Sequence, residues 1–416
     1  MTSWFDAARF GMFVHWGHSS QRGVELSWPL VGGVAALPGS ADVPAEAYHS
    51  TATSFAPRPG AARDWLARAR RAGMRYAVLT AKHHDGFALW PTATGQHSIA
   101  HSKYNGDLVR EFVDAAREND LRVGLYYSLC DWHHPDYPAF RDVHRPYRFG
   151  RVPRPTEPQW ARFLEFQFAQ LRELLTGYGR IDLLWFDGGW ERTPEEWRAK
   201  DFAALARELQ PGILLNDRLP GEGDFDTPEQ FIPPLPPARR WETCMTMNES
   251  WGFVPGDASY KSPRALVHGL CEVASRGGNL LLNVSPTADG SLPVEQTARL
   301  DVLAHWMDAH RASIHDSLPG LEPWQFYGPS TRHGDRIYLH LLMRPYESVT
   351  VRGVPVKRVR AARVLASGRE LEFAKRTSVL DRMFNSDPFG ELAIRIPESE
   401  LDPQATVIEL EIAPQP

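Results

Sequence analysis

The strongest constraint on the fold is a regular alternation of short apolar runs with longer amphipathic segments up to about residue 320. The apolar runs predict strands at Phe10–Trp16, Arg75–Ala81, Arg122–Ser128, Ile181–Phe186, Ile213–Asn216, Trp241–Met245 and Asn279–Val284. The segments between or after them predict helices at Ala61–Gly73, Asp107–Asp120, Pro158–Tyr178, Glu195–Gln210, Ser262–Ser275 and Pro293–Ser313. Asp107 at the start of its helix can cap free backbone N–H groups.

Strands that are nearly continuous apolar runs, alternating with helices, are typical of a parallel sheet covered by helices. About seven or eight such units predict an α/β fold, a (β/α)8-like barrel. A doubly wound open sheet is the main alternative. Its nucleotide-binding form is disfavoured because no glycine-rich phosphate-binding motif follows any strand.

The pattern changes after about Trp324. Short β-like stretches separated by Pro or Gly follow, with no convincing helix among them: Ile337–Met343, Ser348–Val351, Val359–Val364, Leu392–Ile396 and Thr406–Ile412. This pattern predicts a small C-terminal antiparallel β-sandwich. We therefore divide the chain into a catalytic barrel, residues 1–322, and a β-sandwich domain, residues 323–416.

Charge and composition exclude several classes of partner. The net charge is −5, from 46 Lys and Arg against 51 Asp and Glu, which argues against a nucleic-acid or membrane-surface partner. The N-terminus carries no basic stretch followed by an apolar one, so a cytoplasmic location is expected. Cys130, Cys244 and Cys271 are too few for a disulfide framework, so reduced or buried thiols are expected.

In a barrel of this type the reactive groups lie at the carboxyl ends of the strands. Polar and aromatic residues stand at those positions, and they would converge on one pocket: His15, Trp16, His83, His84, Asp85, Tyr126, Tyr127, Asp131, Trp185, Asp187, Asn216, Asp217, Arg218 and Glu242. Three interpretations compete. They are a metal-dependent hydrolase, a set of unrelated structural caps, and a sugar site.

The metal interpretation is weakened because the adjacent residues His83 and His84 tend to point to opposite sides of an extended strand end. The cap interpretation suits any single residue, but burying so many polar groups together is costly without a ligand. A sugar pocket needs hydrogen-bonding groups for hydroxyls and aromatic faces for C–H patches. Cutting a glycosidic bond further needs two carboxylates.

At these positions the sequence resembles the α-L-fucosidases of glycoside hydrolase family 29. The resemblance rests on five runs in the family's order: Trp4–Gly17, Lys82–Phe87, Leu184–Gly188, Asn216–Arg218 and Gly277–Gly290. It implies a metal-free, cofactor-free, exo-acting retaining enzyme that acts on terminal fucose of oligosaccharides or glycoconjugates. A silent fucose-binding protein, and a glycosidase for a related 6-deoxy or galacto-configured sugar, remain alternatives, and a homo-oligomer is left open.

The resemblance implies a role for individual residues. Asp187 matches the nucleophile, and the following Gly188-Gly189 suits close approach of the sugar to the backbone. His15, His83 and His84 are implied as hydroxyl partners, and Arg218 as a partner of a hydroxyl or of the nucleophile region. Tyr126 and Trp185 are implied as ring-lining residues. Because side chains alternate along a strand, Tyr126 and Tyr127 cannot both face inward.

The acid/base is less fixed by local sequence. Glu229, in a Thr-Pro-Glu context on a predicted loop over the site, is favoured, and Glu242 is the alternative. Trp28 belongs to the expected substrate-binding set, but it follows Ser27 where many relatives have Glu. That departure puts one hydroxyl contact in doubt and favours the subset of the family that acts on α-1,3/1,4 linkages.

Overall fold

The computed structural model of the chain describes residues 3–31, 43–137 and 154–415. Seven parallel strands form one curved sheet, in the order β5-β4-β3-β2-β1-β7-β6. The strands are β1 Phe10–Val14, β2 Tyr76–Lys82, β3 Arg122–Ser128, β4 Leu183–Asp187, β5 Leu214–Leu215, β6 Glu242–Thr246 and β7 Asn279–Val284. Nearly every residue of these strands is buried, as expected for a parallel sheet covered on both faces.

The gap between β5 and β6 is bridged by an extended segment rather than by a regular strand. Phe225 forms a parallel bridge to Asn216, and further along the segment Glu229 forms one to Cys244. Pro228 lacks an N–H and cannot donate to a neighbouring strand, which contributes to the irregularity. The predicted barrel-like fold is confirmed. Glu229 lies in this irregular segment, outside the regular strands, in agreement with the predicted loop.

Helices cover the outside of the sheet. The helices are α1 Trp4–Ala8, α2 Ala45–His49, α3 Thr51–Ser54, α4 Ala61–Arg71, α5 Leu108–Glu118, α6 Glu157–Gly177, α7 Pro194–Trp197, α8 Ala199–Leu209, α9 Pro263–Ser275, α10 Val294–Ile314 and α11 Val379–Phe384. Asp107 caps α5 as predicted, since its side chain accepts a hydrogen bond from the Arg110 N–H at 2.8 Å. Among the described helices, none combines the length and the apolar character that a membrane crossing requires.

Two apolar layers fix the position of the pocket. The outer layer lies between helices and strands. The inner layer fills the barrel with side chains that include Phe13, Tyr76, Tyr126 and Trp185. Phe5 of α1 packs against Phe225 at a ring distance of 4.7 Å. The barrel is therefore a filled core, and among the described residues its carboxyl-end mouth is the part that offers space to a ligand.

The C-terminal region is a pair of antiparallel sheets. Its strands are β8 Leu318–Pro319, β9 Ser330–His333, β10 Arg336–Leu341, β11 Val349–Pro355, β12 Val359–Val364, β13 Phe373–Arg376, β14 Phe389–Ile394 and β15 Thr406–Ile412. The sheets β12-β15-β10-β9-β8 and β11-β14-β13 share one apolar core, which agrees with the predicted sandwich. The sheet begins at β8, just before the domain boundary at residue 322, which stays a prediction.

The helix α11 was not predicted. The expectation that the C-terminal region holds no helix is therefore wrong. The apolar residues Val379, Leu380, Met383 and Phe384 of α11 are all exposed, so no buried stripe marks it in the sequence. Its clearest local signal is Ser378, whose hydroxyl accepts from the Asp381 N–H at 3.0 Å. All three cysteines are free and buried, as expected.

Candidate active site

A cavity of about 480 Å³ opens at the carboxyl ends of the barrel strands. Of the strand-end residues expected to converge on one pocket, His15, His83, His84, Tyr126, Trp185, Asp187 and Arg218 line it, whereas Trp16, Asp85, Tyr127, Asp131, Asn216, Asp217 and Glu242 do not. Trp28 and Glu229, the two further residues predicted to bind or transform the substrate, also line it. The lining residues are Phe13, His15, Trp28, His83, His84, Tyr126, Trp185, Asp187, Trp190, Arg218, Glu229, Cys244 and Trp251. The filled barrel beneath makes this cavity a dead end, so it suits the terminal unit of a larger molecule.

Asp187 ends β4, and both of its carboxylate oxygens are held. The Tyr126 hydroxyl donates to Oδ2 at 2.9 Å, and Arg218 Nη1 donates to Oδ1 at 3.1 Å. The parallel register places Tyr126 opposite Trp185 and Ser128 opposite Asp187. The carboxylate is thereby fixed in orientation within the cavity.

Arg218 connects two carboxylates. Its Nη2 donates to Glu229 Oε2 at 2.6 Å while Nη1 holds Asp187. The guanidinium also lies 4.8 Å from the centre of the Trp185 ring, a cation–π contact. Burial lowers the pKa of Arg218, but the negative charge of Asp187, together with Cys244 and Glu229, outweighs burial and raises the pKa above its ordinary value. Arg218 is therefore a permanent positive charge between two carboxylates.

The neutral state of His15 and His84 follows from burial, which lowers the pKa of each ring to about 3. The Ser128 hydroxyl donates to the Cys130 carbonyl at 2.7 Å, so it accepts from His84 Nδ1–H at 2.6 Å. His84 Nε2 is then a bare acceptor. In the part of the chain that the structure describes, this nitrogen has no hydrogen-bond partner, and it lies 3.8 Å from Asp187 Oδ2.

The His15 ring is held in the same way, since its Nδ1–H donates to the Asn283 amide oxygen at 2.7 Å. Its Nε2 is left as an acceptor. The pKa of His83 is likewise lowered to about 3 by burial and by His84. Two rings thus present acceptor nitrogens, which suits neutral hydroxyl groups.

The two adjacent tyrosines of β3 face opposite ways. Tyr126 faces the cavity and stacks on Trp185 with ring centres 5.5 Å apart. Tyr127 faces outward, where it accepts from Lys82 Nζ at 3.1 Å and donates to Gln170 at 2.9 Å. The structure therefore brings Tyr126, and not Tyr127, to the site.

Glu242 lies in the barrel interior, outside the cavity lining. Its Oε1 accepts from Trp185 Nε1 at 3.1 Å, and its Oε2 accepts from the Tyr76 hydroxyl. Burial raises its pKa to about 7. Its carboxyl group supports the Trp185 ring from below, on the side away from a bound ligand.

Four lining residues were missed from the sequence. Phe13 could have been found, because it alternates with His15 on one strand. Cys244 stands in the same relation to Glu242. Trp190 and Trp251 lie in loops whose local sequence gives no such signal, and Trp251 is held in place by Glu25, which accepts from its N–H at 2.7 Å.

The glycines after Asp187 are required by contacts within the protein, and the predicted close approach of the sugar to their backbone stays a prediction. A side chain on Gly188, which has φ 79°, would meet Cys130 Sγ at 2.6 Å. One on Gly189 would meet the Arg218 carbonyl oxygen at 2.5 Å. These glycines allow neighbouring loops of the protein itself to approach, which brings the loop with Arg218 against β4.

A filled parallel barrel with two carboxylates in an aromatic, dead-end cavity defines the class of glycoside hydrolases. Comparison with known proteins gives the family. The family model for α-L-fucosidase matches residues 1–312. The chain therefore belongs to the α-L-fucosidases of glycoside hydrolase family 29, and it is an enzyme.

Relatives and solved structures agree with this assignment. An α-L-fucosidase of Branchiostoma floridae is 30% identical over 385 residues, covering 85% of this chain and 82% of the relative. Isoenzyme 1 of Paenibacillus thiaminolyticus superposes with a TM-score of 0.85 at 36% identity, covering 99% of this chain and 98% of that one. A Bacteroides thetaiotaomicron α-L-fucosidase superposes with a TM-score of 0.83 at 25% identity, covering 99% and 95%. That enzyme was trapped as a covalent intermediate in complex with 2-fluoro-fucosyl fluoride, using a glutamate-to-glutamine variant.

Proposed function

We propose that this chain removes terminal α-L-fucose by a retaining double displacement in which Asp187 is the nucleophile and Glu229 the acid/base. The observation that carries the proposal is the Arg218 guanidinium, which donates to both carboxylates at the mouth of a dead-end cavity. Two carboxyl groups that flank the scissile bond are the requirement of this chemistry. The covalent intermediate trapped in the Bacteroides relative supports the retaining course.

Recognition of the sugar would use the neutral histidines and the aromatic walls. His15 Nε2 and His84 Nε2 would accept from ring hydroxyls, which satisfies nitrogens that are otherwise bare. Trp28, Trp185 and Trp251 would pack on the C–H faces and the methyl group of the deoxy sugar. A neutral sugar needs no charged partner, which fits the absence of charge on these rings.

In the first step an Asp187 oxygen attacks the anomeric carbon, and the bond to the leaving-group oxygen breaks. Tyr126 and Arg218 hold the carboxylate in position, so attack costs little reorganisation. Glu229 gives its proton to the departing oxygen. In the second step Glu229 takes a proton from water, the water oxygen attacks the same carbon, and Asp187 leaves.

Glu229 must exchange one partner for another during this cycle. In the structure it accepts a charge-assisted hydrogen bond from Arg218. To protonate the leaving oxygen it must carry a proton, so the contact with Arg218 must open as the substrate enters. Arg218 then remains on Asp187. The half-exposed Glu229 side chain leaves room for this movement.

We further propose that the enzyme acts on fucosylated oligosaccharides or glycoconjugates and prefers α-1,3/1,4 linkages. A cytoplasmic location and assembly into a homo-oligomer belong to the same set of proposals. The linkage proposal is supported by Ser27, whose hydroxyl contacts His83 Nδ1 at 2.6 Å. Ser27 thus positions the His83 ring, whereas a glutamate in place of Ser27 could reach the sugar itself.

The activity is tested with nitrophenyl α-L-fucoside, followed by ¹H NMR of the first sugar released. We expect α-L-fucose to appear first and to mutarotate later. Initial release of the β-anomer contradicts the double displacement. Faster hydrolysis of nitrophenyl glycosides of galactose or another 6-deoxy sugar contradicts the fucose assignment. Product profiles on α-1,2, α-1,3, α-1,4 and α-1,6 fucosylated oligosaccharides test the linkage proposal, which fails if α-1,2 or α-1,6 bonds are cut fastest.

A further inference from the structure

Three histidines come together outside the catalytic cavity. His18 lies in a short 3-10 helix after β1, His49 ends α2, and His97 lies in the connection that follows β2. The nearest ring nitrogens of these three residues all lie within 4.8 Å of one another. None of the three lines the cavity around Asp187. The cluster is therefore a separate feature of the fold.

Each histidine of the cluster has one buried ring nitrogen without a hydrogen-bond partner among the described residues. These atoms are His18 Nε2, His49 Nδ1 and His97 Nε2, and His18 Nε2 also lies 3.4 Å from Asp85 Oδ2. His18 itself is completely buried. Buried polar atoms nearly always find a partner, because leaving one bare is destabilising. Three such histidines this close together indicate that a cation, which accepts the lone pairs of imidazole nitrogens, belongs between them.

The tautomer of His18 is set by the hydrogen bond of its other nitrogen. The Thr51 hydroxyl donates to the Tyr48 carbonyl at 2.8 Å, so it accepts from His18 Nδ1–H at 2.6 Å. The Nε2 lone pair is then directed into the cluster. A hydrogen bond to the distal nitrogen that fixes ring and tautomer is the usual outer-shell arrangement of metal-binding histidines.

The other two rings are also in the form that binds metals. Burial, followed by the neighbouring His133, lowers the pKa of His49 to about 3 and that of His97 well below its ordinary value. Neutral imidazole is the ligand form. His49 and His97 are only half-buried, which leaves a route for an ion to enter.

A negative charge lies beside the cluster. Asp85 Oδ2 is 3.4 Å from His18 Nε2 and accepts from the Tyr48 hydroxyl at 2.8 Å. Its second oxygen accepts from the Phe87 N–H at 3.0 Å. This buried carboxylate would offset the charge of a cation held by neutral rings.

We propose that His18 Nε2, His49 Nδ1 and His97 Nε2 bind one divalent transition-metal ion of the Zn²⁺ type, with Asp85 as its adjacent anion. Three imidazoles and a nearby carboxylate are a donor set that suits Zn²⁺, which prefers tetrahedral coordination with Zn–N distances of about 2.0–2.1 Å. The ion joins the segments after β1, in α2 and after β2. The site stabilises the wall that carries His83 and His84, and it takes no part in glycoside cleavage.

The test uses the full chain, freed of metal by dialysis against a chelator and titrated with Zn²⁺ by calorimetry. We expect one equivalent to bind and the melting temperature to rise with Zn²⁺ concentration. In the double variant His49→Gln/His97→Gln the affinity should fall by at least about tenfold and the rise in melting temperature should disappear. The exposed His333→Gln variant is the control and should bind as the wild type does.

Equal Zn²⁺ affinity in the wild type and the double variant contradicts the proposal, as does a wild type that binds no Zn²⁺. Circular dichroism shows whether the double variant is folded. A second measurement needs no variant, because Co²⁺ held tetrahedrally by imidazoles absorbs strongly in the visible region. A Co²⁺-loaded wild type without such absorption also overturns the site.

Discussion

Two glutamates occupy two contrasting regions of the same barrel, the cavity mouth and the interior below Trp185. Glu229 at the mouth has a side chain that is 38% exposed and one ionic partner, Arg218. Glu242 in the interior is 0% exposed, and both of its oxygens accept hydrogen bonds, from Trp185 and Tyr76. A group that must give and take a proton needs access to water and to the leaving group. Glu229 has that access, while both carboxyl oxygens of Glu242 are occupied by hydrogen bonds from Trp185 and Tyr76.

The largest expected effect comes from removing the nucleophile, Asp187, with which either candidate acid/base would have to act. Asp187→Ala should lower kcat by at least about 10³-fold, because no other carboxylate can form the covalent intermediate. Added azide should enter the space left by the side chain and restore part of the activity, with β-fucosyl azide as product. Wild-type-like turnover in this variant would remove Asp187 as nucleophile.

Replacing each glutamate by alanine tests directly which of the two is the acid/base. Glu229→Ala should lose about 10²–10⁴-fold on substrates with poor leaving groups and much less on good ones, because a good leaving group departs without a proton. The matched variant Glu242→Ala should show no such dependence on the leaving group. If the dependence appears in Glu242→Ala and not in Glu229→Ala, the acid/base assignment moves to Glu242.

The adjacent tyrosines of β3 test whether a hydroxyl that faces the cavity matters more for turnover than one that faces outward. Tyr126→Phe removes the hydroxyl that donates to Asp187, and a hydrogen bond to a charged group is worth about 1.5–3 kcal/mol. We expect kcat to fall about 10- to 100-fold. Tyr127→Phe, one residue further and facing outward, should leave kcat within about threefold of the wild type. Equal losses in both variants would show that the effect comes from the strand and not from Asp187.

Much of this architecture could be read from the sequence because burial imposes simple patterns. Continuous apolar runs such as that of β7 gave the parallel sheet, and the strand-end rule placed Asp187 and Arg218 in one cavity. What could not be read depends on contacts between distant segments. Glu229 lies in an irregular segment whose bridges to Asn216 and Cys244 have no local periodicity, and Trp251 owes its position to Glu25.

The smallest expected effect concerns stability and is specific to the interior glutamate. The pKa of Glu242 is about 7 in the folded chain against 4.5 when unperturbed, because of burial. Between these two values the folded state keeps a proton that the unfolded state releases, so stability falls as the pH rises, by up to about 1.4 kcal/mol per pH unit. Glu242→Gln has no such proton. The stability of the wild type relative to the variant should therefore decrease from pH 5 to pH 8 in urea unfolding.

The buried histidines of the cavity do not obscure this difference. The pKa of His15 and His84 is lowered to about 3, so their contribution is complete above about pH 6.5 and is lost as the pH falls toward 3. That slope has the opposite sign and is common to both proteins, so it cancels when they are compared. Because Gln can still accept from Trp185, we expect kcat of the variant to stay within about tenfold of the wild type. A stability difference that does not vary with pH would mean that Glu242 is ionised in the folded chain, and the distinction between the two glutamates would lose its electrostatic basis.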